Sequence, residues 1–152
     1  MKPTLRWTLT GLAALAAIWF FLGETVSLTL EPEINGDTLI VKGTTDLPDG
    51  ALITYEVTSN KPRQTLEETS RFRYEGSARV KDGRYAAEVD LSDWPQGSIR
   101  IWAAFQAMRR NTVEQPEAIL ERFGEMGEKL RGPNVTRSGR WKQVELTVTL
   151  ER

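Results

Sequence analysis

The sequence predicts a mainly β protein: an antiparallel β-sandwich of seven strands, preceded by one transmembrane helix and interrupted by one short helix before the last strand. Apolar and polar residues alternate with a period of two through most of the chain after residue 25, which is typical of strands with one buried face. Turn sequences separate these runs about every 8–12 residues, as in sandwiches. A parallel sheet would require a helical segment after each strand, and the sequence lacks this repeated pattern.

The transmembrane helix is predicted from the uncharged, largely apolar run at residues 7–23. Its length lies at the short end of the roughly 17–25 residues with which a helix crosses a bilayer. Lys2 and Arg6 precede the run, and acidic residues follow it from Glu24 onward. Because cations that flank a membrane segment stay in the cytoplasm, we expect residues 1–6 to be cytoplasmic. Residues 26–152 are then expected to form an extracytoplasmic domain.

A cleaved secretory signal is the alternative interpretation of the same run. Signal peptides have a shorter apolar core, of roughly 7–15 residues, followed by small residues at the cleavage site. The best such site is Thr25-Val26-Ser27, which lacks alanine and would split an alternating segment. The sequence therefore favours an uncleaved single-pass signal-anchor in the bacterial cell membrane over a secreted protein. The lipid bilayer is then the partner of residues 7–23.

Three strands are predicted in the first part of the domain. The first covers residues 26–31 and is followed by the turn Asn35-Gly36-Asp37, since Asn and Gly tolerate a positive φ. The second strand covers residues 38–44. The turn Pro48-Asp49-Gly50 places proline where turns favour it, and a third strand follows at residues 53–57.

Four further strands are predicted at residues 72–80, 85–91, 99–105 and 144–150. The turn Lys81-Asp82-Gly83 joins the fourth strand to the fifth, and Pro95-Gln96-Gly97 precedes the sixth. Alternation predicts that the apolar residues of the fourth strand face the core; they are Phe72, Tyr74, Ala78 and Val80.

One helix is predicted before the last strand, within an insertion at about residues 114–131. Its apolar residues recur at helical spacing and form a single stripe, made of Ile119, Phe123, Met126 and Leu130. Pro116 suits the first turn of a helix, and Gly132-Pro133 ends it. We expect the stripe to pack on the sandwich; the alternative is that the helix docks a partner.

Composition excludes several classes of function. All 21 acidic residues follow Gly23, whereas two of the 20 Lys and Arg precede the apolar run, so the remainder carries a net charge near −3. This near-neutral balance argues against nucleic-acid binding, which needs a basic surface. The chain contains neither histidine nor cysteine, so the usual nucleophilic triads cannot form and a zinc site is improbable. We therefore expect no enzymatic activity, no cofactor and no metal.

Two features predict an interaction surface. Trp102 falls on the outward phase of its strand, and tryptophan contributes strongly to binding energy at interfaces. Five basic residues and no acidic residue lie between residues 129 and 143, and such a stretch could meet anionic lipid or an acidic partner. The candidate surface residues are Trp102, Arg131, Arg137, Arg140 and Lys142.

Part of the chain resembles bacterial extracytoplasmic sandwich domains of the immunoglobulin-like and fibronectin type. The resemblance rests on Lys81-Asp82-Gly83-Arg84-Tyr85, Val89-Asp90-Leu91 and the segment 94–99, together with the strand and turn at residues 43–50. It covers about residues 26–106. It implies an immunoglobulin-like sandwich but no particular function, because such sandwiches have many roles.

Two functional hypotheses follow. The first is a non-enzymatic, single-pass membrane-anchored interaction or scaffold protein, an accessory subunit of a membrane assembly with a protein partner at the outer membrane face. The second is a secreted or tethered binding module for a small ligand, peptide or glycan, with Trp102 or Trp94 as a stacking platform.

Overall fold

The computed structural model describes residues 23–60, 71–108 and 114–152, and within them the chain is mainly β, with antiparallel sheets. One helix and ten strands are present in this part of the chain. The elements are β1 (Glu24–Thr25), β2 (Glu33–Asn35), β3 (Thr38–Thr44), β4 (Leu52–Ser59), β5 (Arg73–Arg79), β6 (Arg84–Asp90), β7 (Ser98–Phe105), α1 (Glu117–Phe123), β8 (Leu130–Arg131), β9 (Val135–Ser138) and β10 (Trp141–Glu151).

Two antiparallel sheets form the body of the domain. One has three strands in the order β2-β3-β6, and the other has five in the order β5-β4-β7-β10-β9. A separate parallel pair joins β1 to β8. The apolar alternate residues of both sheets form one continuous core, which includes Leu39, Val41, Val89, Ile53, Val57, Ile101 and Phe105. The two sheets therefore pack as a β-sandwich.

The described residues form ten strands in place of the predicted seven because four short strands, β1, β2, β8 and β9, are added, whereas the first predicted strand, residues 26–31, is not a regular strand. Residues 26–31 run beside β3, but side chains replace two ladder bonds: Ser27 N donates to Asp46 Oδ1 at 2.8 Å, and Thr44 N donates to Thr29 Oγ1 at 2.8 Å. The backbone bonds from Thr29 N to Thr44 O and from Glu31 N to Lys42 O remain, together with an isolated bridge between Leu28 and Thr45. Pairing begins at Glu24, two residues before the predicted boundary.

The fourth predicted strand is only partly buried. Ala78 and Val80 face the core as expected, but Tyr74 is 44% exposed. The five-stranded sheet is wider than the three-stranded sheet opposite, and β5 is its edge strand. Part of β5 therefore has no opposite strand to cover it. The Tyr74 ring instead stacks on Tyr55, with 6.1 Å between centroids.

The helix is shorter than predicted, and the predicted helical insertion at 114–131 is wrong in its second half. Gly124 ends α1 with a φ of 88°, and Gly127 has a φ of 64°; L side chains rarely adopt such values. Ile119 and Phe123 are buried as expected. Met126, beyond the helix, is 41% exposed, and the buried Leu130 belongs to a strand.

The helix packs on the sandwich, as predicted. The Phe123 ring meets the Phe105 ring edge-on, with 5.1 Å between centroids. The buried Gln115 ties the preceding loop to β4, because its side chain accepts from Leu52 N at 3.0 Å and donates to Leu52 O at 2.8 Å.

Among the described residues, no helix is long and apolar enough to cross a membrane. Residues 7–22 of the predicted anchor lie outside the described part of the chain.

Replacing Phe123 with Ala should lower the free energy of unfolding by about 3–5 kcal/mol, because it removes a buried ring and leaves a cavity against Phe105. Urea unfolding of the full chain in detergent, followed by tryptophan fluorescence, measures this loss. The control is Glu121→Ala on the exposed side of the same helix, which should change stability by about 0.5 kcal/mol or less. Equal stability of the two variants would contradict the packing of α1.

Candidate functional site

The chain enters the sandwich at a junction formed by β1 and β8, here called the anchor junction. Glu24 and Thr25 pair in parallel with Leu130 and Arg131. Glu24 N donates to Lys129 O at 2.7 Å, and Arg122 Nε donates to the Glu24 carboxylate at 2.7 Å. The first residue after the apolar run is therefore fixed by both its backbone and its side chain.

Gly23, the last residue of that run, lies against the same junction. A Cβ at this position would clash with the Lys129 carbonyl and with the Arg131 side chain. Glycine is needed here because the backbone approaches β8 too closely for any side chain. The contact fixes the chain to the sandwich at the last residue of the predicted anchor.

Three of the predicted surface residues form a cluster beside the anchor junction, here called the basic cluster: Arg131, Arg137 and Lys142. Arg137 lies opposite Lys142 in the β9–β10 pair. Lys142 Nζ donates to the carbonyls of Glu128 and Leu130 at 3.3 and 3.4 Å. These contacts bring β10 against the segment that carries β8.

The pKa of Lys142 is lowered by burial and by the other cations of the basic cluster. Partial burial lowers the pKa of its ammonium group, and the positive charges of Arg131 and Arg137 lower this pKa further. Glu128 opposes the shift. An anion placed beside the cluster would favour the charged ammonium and relieve this repulsion.

Arg140 lies in the β9–β10 turn, exposed at the tip of the hairpin, where Gly139 has a φ of 62°. Large apolar side chains are exposed near the cluster as well. Trp141 is 40% exposed, and Met126, whose carbonyl accepts from Lys142 N at 2.9 Å, is 41% exposed. This part of the molecule, here called the anchor end, therefore combines cations with exposed apolar groups.

Trp102 lies elsewhere, on the outer face of the five-stranded sheet between Glu56 and Thr147. The half-buried indole donates from Nε1 to Glu145 Oε2 at 2.7 Å, and Gln143 Nε2 donates to the same oxygen at 2.6 Å. Thr147 is separated from Lys142 by five positions along β10, about 16 Å. The structure thus divides the predicted interaction surface into two separate regions.

A third feature was missed by the sequence reasoning. Cations from β3, β5, β6 and the turn between β5 and β6 line a groove of about 490 Å³, here called the basic groove. Its basic residues are Lys42, Arg79, Lys81 and Arg84. They are spread over the sequence among acidic residues, so no charge run marks them. The alternation of apolar and polar residues predicts that Lys42 and Arg84 both face outward. It does not predict that β3 pairs with β6, and this pairing is what brings the two residues close together.

No family model matches the sequence, and no curated protein matches it. Function is therefore inferred from the chain's own residues.

Replacing Glu145 with Leu should reduce stability by about 1–2 kcal/mol, because it leaves the Trp102 N–H and the Gln143 amide without their acceptor. Glu145→Gln is the matched control, since its amide oxygen still accepts and its loss should be smaller. Urea unfolding measures both losses. If Leu and Gln at this position were equally tolerated, the Trp102 indole would not depend on this hydrogen bond for its position.

Proposed function

We propose that this protein is a non-enzymatic, single-pass membrane-anchored interaction protein, which holds a β-sandwich against the outer face of a bacterial cell membrane as an accessory subunit of a membrane assembly. The observation that carries the proposal is the anchor junction. Gly23 ends the apolar run, and Glu24 is already paired with Leu130 in the fold.

The anchor junction limits how far the sandwich could move from the bilayer. A flexible linker extends by up to about 3.3–3.6 Å per residue, so even ten residues would allow a domain to leave the surface. Here no unpaired residue separates the run from β1. With residues 7–23 in the membrane, the anchor end would lie at the headgroup level.

The chemistry of the anchor end suits that position. Each cation near an anionic membrane surface contributes about 1 kcal/mol of attraction, and the basic cluster with Arg140 offers several. Tryptophan prefers the interface between headgroups and hydrocarbon, and Trp141 is exposed beside the cluster. Lipid contact would therefore use groups that otherwise remain exposed to water.

A partner protein would meet the side of the sandwich, where Trp102 lies. Its indole is already held in one orientation by Glu145, so binding would cost little side-chain entropy. Trp94, the other candidate for a stacking platform, is less suitable. Its ring is already packed edge-on to Phe72, with 6.1 Å between centroids, and its carbonyl accepts from Arg152 Nη1 at 2.6 Å.

Strand order supports a fibronectin-type arrangement. Of the strands that the sequence predicts, the second and fifth (β3 and β6) belong to one sheet, and the third, fourth, sixth and seventh belong to the other. Strand β2, which follows the first predicted strand in the chain, completes the first sheet. In immunoglobulin constant domains the fourth strand joins the first sheet, whereas here β5 pairs with β4. Strands β1, β8 and β9 are additions to this arrangement.

Native extraction of the full chain in mild detergents should give a complex with an integral membrane protein. Trp102→Ala should weaken this complex, because it removes the preorganised aromatic group from the proposed interface. Thr149→Ala, on the same sheet face, is the control and should leave it intact. Native electrophoresis with mass spectrometry of the bands measures both. A clean monomer in every detergent would count against the proposal.

A further inference from the structure

We propose that the basic groove is a binding site for an oxyanion of the phosphate class, such as a phosphate ester. The site goes beyond the interaction role: it lies on the three-stranded sheet, and its lining includes neither Trp102 nor any residue of the basic cluster. The groove is formed in the same way whether or not residues 7–23 anchor the chain in a membrane.

The floor of the groove is formed by adjacent stretches of β3 and β6. Thr44 lies directly opposite Arg84, and Lys42 lies opposite Ala86. The turn from β5 adds Lys81, which is bridged to Arg84. The volume of about 490 Å³ is within the range of small-molecule sites, roughly 300–1,000 Å³. The groove is therefore large enough for a phosphate group with part of the molecule that carries it.

The charges around the groove are not balanced. Four of the lining residues are basic, and Glu31 is the one acidic residue among them. Lys42 is paired with Glu33 at 2.6 Å, and Arg79 donates to Gly50 O at 3.1 Å. Within the described residues, neither Lys81 nor Arg84 forms an ion pair with a carboxylate.

An anion would complete this arrangement. Like charges held close together repel each other, and a ligand of opposite sign converts the repulsion into attraction. A guanidinium group presents donors in a planar fork that matches the oxygens of phosphate. Arg84 thus supplies geometric recognition, and Lys81 supplies a second positive charge on the same hairpin.

The backbone that carries these cations is held by specific contacts. Asp82 N donates to Asp49 Oδ1 at 2.8 Å, which fixes the turn that begins at Lys81. The Tyr85 hydroxyl donates to Thr29 O at 2.5 Å. Burial raises the pKa of this hydroxyl, and the charge of Glu31 raises it further, so it stays protonated as a donor. The backbone of the groove is thus preformed, which lowers the part of the entropic cost of binding that comes from ordering the chain.

Calorimetric titration of the full chain in uncharged detergent with inorganic pyrophosphate tests the site. We expect saturable binding that the double variant Lys81→Gln/Arg84→Gln weakens by at least about tenfold, because it removes two charged hydrogen-bond donors from the groove. The matched control is Arg71→Gln/Arg100→Gln, which removes two exposed cations outside both the groove and the basic cluster and should bind as the parent chain does.

Three outcomes would overturn the proposal: no saturable binding, equal binding by the groove variant, or equal weakening by the control variant. The last would indicate attraction by overall charge alone. Thermal unfolding of both variants shows whether they are folded. An unfolded groove variant would be replaced by Arg84→Lys, which keeps the charge but loses the planar fork and should still bind pyrophosphate more weakly than the parent chain.

A second arm distinguishes a lipid headgroup from a soluble phosphate ester as the source of the anion. The full chain is placed in nanodiscs of phosphatidylcholine alone or with phosphatidylglycerol, and pyrophosphate is titrated into each. If the parent chain binds pyrophosphate more weakly in the nanodiscs that contain phosphatidylglycerol, and Lys81→Gln/Arg84→Gln shows no such difference between the two nanodiscs, a headgroup in the groove is supported. Equal binding in both nanodiscs supports a soluble ester.

Discussion

The pairing of Glu24 and Thr25 with β8 holds the end of the apolar run against the sandwich, and the orientation that we propose for the domain at the membrane depends on this contact. It is a small element, with one ion pair and a short parallel ladder. The exposed ion pair contributes little to stability by itself. Its importance lies in its position, because it connects the apolar run to the sandwich without a linker.

The candidate binding surfaces have defined positions relative to the anchor junction. The basic cluster and Trp141 lie beside the junction, whereas Trp102 lies on one sheet and the basic groove on the other. Lipid, protein and small anion would therefore meet separate surfaces. In the proposed function, loops and short strands would contact the bilayer, and the faces of the regular sheets would remain for specific recognition.

The alternation of residues was sufficient to predict the main strands and the mainly β fold, because burial of one face imposes a period of two. Alternation contains no information on sheet width, so Tyr74 was wrongly expected in the core. The helical spacing correctly predicted that Phe123 is buried. It did not predict where the helix ends, because a glycine such as Gly124 occurs both within helices and at their ends. The Trp102–Glu145 contact joins residues far apart in sequence and depends on strand register.

The central claim is that the anchor end faces the bilayer, and fluorescence quenching in nanodiscs tests it most directly. The chain has no cysteine, so Ser138→Cys beside the basic cluster and Ser92→Cys after β6 can each carry a single fluorophore. The two positions lie at opposite ends of the sandwich, about 20 Å or more apart by strand length. The account predicts that a quencher on lipid headgroups strongly quenches the label at position 138 and leaves the label at 92 nearly unaffected. Equal quenching at both positions, or stronger quenching at position 92, would contradict it.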